Sequence, residues 1–360
     1  VTQARNENAS INLDEYRRRA QELKSLPRFV VVELTQGCNL RCPMCRSEVI
    51  PVANRRMSLE LFSQVADELF STAELIDLRG WGESLVLPEI QERVAVAAKS
   101  GAEIRFVTNL SFRRPDAIAL LARHHAHVGI SADTADPFLF RQLRINGRLD
   151  LVEANLNALG QLYKADWGTT ERLSLICTVQ RPALLGLENL VDLAAKADIR
   201  RIQLSAVSAP PGSLLSIIGY EAEVDEALGR VARRAEMLGI DILCGTRLGS
   251  HPANPPNIPS CLHPWAYAHV AYDGSVGFCD HLIGPELEQN SMGVIDERGF
   301  RRVWNGPLWQ ALRREHTRGG SGIAEIRASC AWCYKNRAVE FEDRFAPELA
   351  HYKRVLTAVA

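Results

Sequence analysis

The sequence predicts an α/β fold: a partial (β/α)6 barrel followed by a small C-terminal unit made of a β-hairpin plus a helix. Three observations predict it. Short runs rich in β-branched residues alternate with helical stretches from Phe29 to about Cys244, which implies parallel βα units. A Pro-rich stretch, His251-Pro252-Ala253-Asn254-Pro255-Pro256-Asn257-Ile258-Pro259, reads as a linker. Beyond it, Asp273-Gly274 lies between alternating apolar residues, the signal of a hairpin.

Composition narrows the class. A chain of 360 residues with 46% hydrophobic content buries a sizeable core, and its length allows two or three domains. A formal net charge of −1 without a basic tract argues against nucleic acid as a partner, because phosphate binding needs concentrated Lys and Arg. No apolar stretch approaches the ~20 residues that cross a bilayer, and the N-terminus shows no signal-peptide core. No membrane partner and a cytoplasmic location are therefore expected. The count of 9 cysteines is odd, so a complete disulfide framework is excluded and metal ligation is the better account. Seven of them fall into two spaced groups, leaving Cys177 and Cys244 over.

In chain order, residues 1–28 read as an N-terminal helical extension, a short charged helix over Leu13–Leu23 that ends near Pro27. So short a segment has no room for a peptide-binding or cobalamin-binding domain. Residues 29–250 form the expected barrel, with strands at 29–35, 75–80, 103–108, 127–132, 172–179, 200–206 and 239–244 and helices such as 58–71 and 113–123. The first strand feeds Cys38-x3-Cys42-x2-Cys45, so these thiols sit at a strand's C-terminal end, where α/β folds keep their chemistry. The second strand runs into Gly80-Trp81-Gly82-Glu83-Ser84, the third into Thr108-Asn109, and the fourth into Ser131-Ala132-Asp133. Taken singly, these are a Gly-rich turn and helix caps. Residues 251–337 carry Cys261-x17-Cys279 and Cys330-x2-Cys333. The hairpin should hold Cys261 and Cys279 at the two ends of a ribbon, and a helix around 300–316 should bring a Cys330/Cys333 turn back to them. Residues 338–360 are expected as a helical tail.

Three thiolates on one loop hold three corners of a [4Fe–4S] cluster and leave the fourth iron without a protein ligand. An incomplete zinc site, or three thiols met by chance, are the plainer readings. The Cys38/Cys42/Cys45 spacing, with Met44 before the last thiol, resembles the radical S-adenosylmethionine (SAM) superfamily. The resemblance implies that the open iron chelates SAM, whose reductive cleavage gives a 5′-deoxyadenosyl radical. It implies that Gly82 and Glu83 hold the SAM amino group, that Met44 lies beside the cofactor, and that Thr108, Asn109, Ser131 and Asp133 contact its ribose and methionine portions. Trp81 and Ser84 depart from the family's Gly-Gly-Glu-Pro pattern.

The four later cysteines can close a site for zinc or for [4Fe–4S], and their spacing does not separate the two. With Gly274 between them, Cys261 and Cys279 resemble the twitch domain, a shortened SPASM domain; Met292-Gly293-Val294-Ile295 and Val303-Trp304-Asn305 are similar to the stretch between its cysteine groups. The resemblance implies one auxiliary cluster on Cys261, Cys279, Cys330 and Cys333, hence two [4Fe–4S] clusters and SAM in all.

The whole pattern is similar to that of the 2-deoxy-scyllo-inosamine dehydrogenase type of aminoglycoside and sugar-tailoring enzymes. That implies a radical SAM oxidoreductase of antibiotic biosynthesis, oxidising a hydroxyl of a small polar substrate (an aminocyclitol, aminosugar or sugar nucleoside) to a ketone, and fed electrons by a protein such as flavodoxin or ferredoxin. Diol dehydration, decarboxylation and epimerisation of a sugar stay open, as do peptide maturation and a non-catalytic metal-cluster scaffold. Epimerisation needs a hydrogen donor, for which Cys177 and Cys244 are candidates, although a spare strand cysteine is ordinarily packing. Asp280 and His281 follow a cluster cysteine and are candidates for a proton acceptor or hydrogen-bond donor, against a solvent-facing loop. Glu33 is a candidate SAM or substrate contact. The pair Arg141/Arg144 suits a carboxylate, against a solvated helix face.

Overall fold

The computed structural model describes residues 3–45, 54–250, 261–284, 286–317, 328–336 and 354–355. Along the chain, α1 (Gln3–Arg17) precedes β1 (Phe29–Val32), α2 (Leu59–Val65), β2 (Leu75–Asp77), α3 (Ile90–Lys99), β3 (Glu103–Thr108), α4 (Pro115–Arg123) and β4 (His127–Ser131). Then follow α5 (Pro137–Leu143), α6 (Leu149–Trp167), β5 (Leu173–Val179), α7 (Asn189–Lys196), β6 (Arg201–Ala206), α8 (Glu221–Leu238) and β7 (Asp241–Cys244). The last part holds α9 (His263–Ala266), β8 (Tyr267–Val270), β9 (Val276–Gly277), α10 (Glu286–Asn290), α11 (Phe300–Trp304), α12 (Pro307–Glu315), α13 (Ala328–Asn336) and β10 (Arg354–Val355). All seven strands expected between Phe29 and Cys244 are present.

Two compact units share the chain: residues 1–39, 48–106 and 257–331 form the first, and residues 40–47, 107–256 and 332–360 the second. In the first, β1 lies between β2 and β8, parallel to both, with Val31 opposite Asp77 on one side and His269 on the other. β3 continues from β2, setting Asp77 opposite Arg105, and β9 returns antiparallel to β8, setting His269 opposite Gly277. Facing partners in a sheet share a face. Arg105, Asp77, Val31, His269 and Gly277 therefore form one row, a polar row among otherwise apolar strands.

Helix α1 docks on this unit through a polar stripe. Arg5, Asn8, Asn12 and Glu15 recur at helical spacing and are all buried. Arg5 donates to the carbonyls of Ser100 and Gly101, Asn8 to Leu26 and Asn12 to Trp265, while Glu15 accepts from Ser25. The helix expected over Leu13–Leu23 thus begins ten residues earlier and stops at Arg17, because its buried face is written in polar residues that an apolar period does not reveal.

In the second unit β4, β5, β6 and β7 run parallel, with β10 antiparallel to β7. Helix ends follow local chemistry: Asp136 caps α5 by accepting from Leu139 N at 2.6 Å, with Pro137 in the first turn. Gly168 closes α6 at φ 73°, a left-handed conformation that glycine takes at no steric cost.

Three expectations for the C-terminal part change. Gly306-Pro307 divides the helix expected at 300–316 into α11 and α12, since proline starts helices and does not continue them. Cys330 and Cys333 lie in α13, not in a turn. Helix α9 separates Cys261 from β8, so only Cys279 ends the ribbon directly. The Pro-rich linker lies outside the described residues, as does the tail apart from Arg354–Val355, which is strand where helix was expected. No helix among the described residues is long and apolar enough to cross a membrane.

Candidate active site and metal centres

In the first unit the chain leaves β1 through Glu33-Leu34-Thr35-Gln36-Gly37 and reaches Cys38. Thr35 Oγ1 accepts from Gly37 N at 2.9 Å and shapes that turn. The segment after β2 lies directly on it: Gly82 N donates to Thr35 O at 3.1 Å and Glu83 N to Gly37 O at 2.9 Å. A Cβ on Gly82 would stand 2.2 Å from Gly37 O, and one on Gly80 would stand 2.3 Å from Glu33 Cγ. Glycine at both places is what lets the two segments touch. The Glu33 carboxyl accepts from Trp81 N at 2.9 Å and from Gln36 Nε2 at 3.1 Å. Burial pushes its pKa up to about 7, those two hydrogen bonds pulling the other way. Trp81 packs its ring against Gly284, Ser84 is buried in the following turn, and Glu83 caps that turn by accepting from Leu85 N.

In the second unit, Cys45 N donates to Cys42 O at 3.0 Å, and Arg41 bridges to Ile145. Beside them Asp133, fully buried, accepts from Arg144 Nε at 2.9 Å and Nη2 at 2.8 Å through one oxygen, and from Thr178 N at 2.9 Å through the other. Burial raises the Cys42 thiol to about 11 while Arg144 opposes that rise; metal coordination deprotonates such a thiol outright. Arg144 is thereby tied to Asp133, and Arg141 is exposed. Thr108 Oγ1 accepts from Leu110 N at 3.2 Å and Asn109 Oδ1 from Ser111 N at 2.7 Å, two side-chain turns at the mouth of β3. Ser131 and Met44 are half-buried. Cys177 and Cys244 are fully buried, and the register places each beside Leu204, in a row of packed side chains.

The second thiol group has Cys261, Cys279 and Cys330 in the first unit and Cys333 in the second; all four are half-buried and none is in a disulfide. Ligating atoms of His263, Cys279 and Asp280 lie within 4.8 Å of one another. His281 N donates to Cys279 Sγ at 3.5 Å, the kind of bond that steadies a metal-bound sulfur. Asp280 pairs with Arg79 at 3.4 Å, Arg79 Nε pairs with Asp77 at 2.9 Å, and Arg105 reaches Asp77 at 3.7 Å. The His263 ring stacks on Tyr267, centroids 4.6 Å apart.

Sequence reasoning missed Arg79, His263, Tyr267 and His269. The available signal was Tyr267-Ala268-His269, two polar side chains at alternate positions of an apolar strand. His269 is fully buried with neither ring nitrogen hydrogen-bonded, and burial, with Arg79 adding to it, lowers its pKa to about 3. An amide N–H on the Cys279 sulfur and unsatisfied buried donors nearby, Tyr267 Oη and the His269 ring, fit a cluster ligand at Cys279. The cradle around Gly82 and the segment before Cys38 fit a small ligand beside the first.

Comparison with known proteins bears on the metal chemistry. Residues 32–181 match the radical SAM superfamily and residues 261–334 the SPASM iron–sulfur cluster-binding domain. The chain is 24% identical over 338 residues to an AdoMet-dependent heme synthase of Methanosarcina barkeri, covering 86% of this chain and 92% of that one. It is 25% identical over 302 residues to the mycofactocin maturase MftC of Mycolicibacterium smegmatis, covering 80% and 72%. Its fold resembles the crystal structure of Streptococcus suis SuiB bound to S-adenosylmethionine, with a TM-score of 0.63 at 16% identity over 85% of this chain and 72% of that one. The two domains together hold SAM and two iron–sulfur clusters. With the glycine cradle and the strand succession in agreement, the chain carries a radical SAM domain at residues 32–181 and a SPASM iron–sulfur cluster-binding domain at residues 261–334.

Proposed function

We propose that this enzyme carries out a two-electron oxidation, removing two hydrogens from a carbinol of a carbohydrate-like substrate. The observation that carries the reading is Asp280, a largely buried carboxylate next to Cys279 and held by Arg79. When bound, SAM and the cluster on Cys38, Cys42 and Cys45 supply a 5′-deoxyadenosyl radical, and the cluster of the second thiol group supplies a one-electron acceptor. Oxidation of a carbinol to a ketone also releases the hydroxyl proton, and Asp280 would take it, while the hydrogen atom and the electron would leave through the chemistry those groups supply when bound. Arg79, anchored on Asp77 at 2.9 Å, pairs with the Asp280 carboxylate at 3.4 Å and orients it. Gly82 and Glu83, with Met44, Thr108, Asn109, Ser131 and Asp133, are the proposed SAM contacts, and Cys261, Cys279, Cys330 and Cys333 the proposed auxiliary ligands.

The substrate class proposed is an aminocyclitol, aminosugar or sugar nucleoside, and the second unit by itself offers neutral polar side chains. The register sets Ile176 opposite Gln203 and Thr178 opposite Ser205, and Gln180, at the end of β5, is buried with neither amide atom hydrogen-bonded. Such groups match hydroxyls better than charges. A second reading, maturation of a peptide, draws support from the likeness in fold to Streptococcus suis SuiB, whose structure was solved bound to the precursor peptide SuiA.

Anaerobically reconstituted protein with SAM, dithionite and candidate aminocyclitols, sugar nucleosides or peptides tests both. Substrate-dependent 5′-deoxyadenosine with a product two mass units lighter is expected from the first group. The same outcome from a peptide alone replaces the substrate class. A product lighter by water or carbon dioxide replaces the reaction.

A further inference from the structure

We propose that the Tyr267 hydroxyl donates a hydrogen bond to a sulfur of the auxiliary cluster and raises that cluster's reduction potential. The inference deepens the oxidative reading, since a higher potential makes the cluster a better electron acceptor, and rests on it only for that consequence.

Four observations converge. In the β8–β9 ribbon His269 faces Gly277; carrying that register two residues along sets Tyr267 opposite Cys279, both side chains on one face. The Tyr267 ring is stacked on His263 at an interplanar angle of 13°, and a ring nitrogen of His263 lies within 4.8 Å of Cys279 Sγ. Tyr267 is buried, and its hydroxyl has no hydrogen-bond partner within the protein. Leaving a buried donor unmet is costly, and a sulfur-rich anion beside it removes that cost. Finally, a phenol holds its proton at neutral pH and is therefore available as an O–H donor. A donor aimed at a cluster sulfur offsets part of the negative charge that reduction adds, and so favours the reduced state. Tyr267 is in this sense a tuning residue; it touches no reacting atom of the substrate.

The test uses the full chain with Cys38, Cys42 and Cys45 all replaced by Ala, so that all cluster iron belongs to the second thiol group. In that background, Tyr267→Phe keeps the ring and its stack and deletes only the donor. An EPR-monitored redox titration should show a more negative midpoint, by about a tenfold fall in the equilibrium constant for reduction, or about 59 mV for one electron. Iron and sulfide contents should be unchanged, and one exchangeable-deuteron coupling seen in heavy water should disappear. Full iron with an unshifted midpoint overturns the proposal alone. A second site that takes zinc and no iron overturns it together with the oxidative reading. Should the Phe variant lose its iron, the parent decides: absence of any exchangeable-deuteron coupling to the cluster in the Tyr267 protein overturns the proposal. A failed substrate screen leaves these measurements untouched, so the two ideas fail separately.

Discussion

A methyl group added to Gly82 would stand 2.2 Å from the Gly37 carbonyl, one residue before the first thiol. Because backbone meets backbone there, the strain has to move the Cys38 segment. Gly82→Ala is expected to slow SAM cleavage about a hundredfold, the scale of an ångström's misplacement, read as 5′-deoxyadenosine released without substrate. Arg144→Ala tests a different residue-scale effect. It strands the Asp133 carboxylate, which has 0% side-chain exposure, and should cost about 3–5 kcal/mol of stability in denaturant titration. Glu33 gives a signed pH dependence. Its carboxyl, usually near 4.5, is raised to about 7 in the fold, so the folded state holds the proton more tightly. The stabilisation is full below pH 4.5 and is lost as pH rises to 7, an effect on the order of 3 kcal/mol. Glu33→Gln should flatten that slope in pH-dependent melting, and a slope of unchanged size would assign it to other groups.

Helix ends separate backbone effects from packing. A Cβ at Gly168 meets nothing within 4 Å while the residue sits at φ 73°, so Gly168→Ala should cost about 1 kcal/mol from conformation alone. Chemical denaturation with an unchanged m-value checks it. Among the elements, strands were more legible than helices. The strands are short runs rich in apolar and β-branched residues, buried over most of their length, and that pattern marks them even where a polar residue interrupts it. Helix α1 hid because Arg5, Asn8, Asn12 and Glu15 bury a polar stripe, and the α11–α12 break hid because Gly306-Pro307 looked like a weak spot in one longer amphipathic pattern. Placing Cys330 and Cys333 on α13 was equally out of reach, as two cysteines three apart suit a turn and a helix alike.

For the molecule as a whole, the two thiol groups should act independently in assembly and in sequence during turnover. Reconstituted protein should hold about eight irons, four for each group. Cys279→Ala should bring the count to about four, keep SAM cleavage and abolish formation of the oxidised product. Replacing Cys38, Cys42 and Cys45 should also leave about four irons, but with no 5′-deoxyadenosine at all. Iron analysis with product mass spectrometry separates these outcomes.

The chain's own letters determined the class of chemistry: cysteine spacing is a local property, and a loop of three thiols after a strand narrows the metals and cofactors before any folding is considered. Local patterning likewise determined the order of strands. What tertiary structure alone decided was the company those residues keep. Arg79 between Asp77 and Asp280, and His269 in line with Asp77, depend on β1 pairing with β8 across more than two hundred residues of sequence. Such long-range pairing follows from which apolar faces can be buried together, and no short stretch of sequence encodes that by itself.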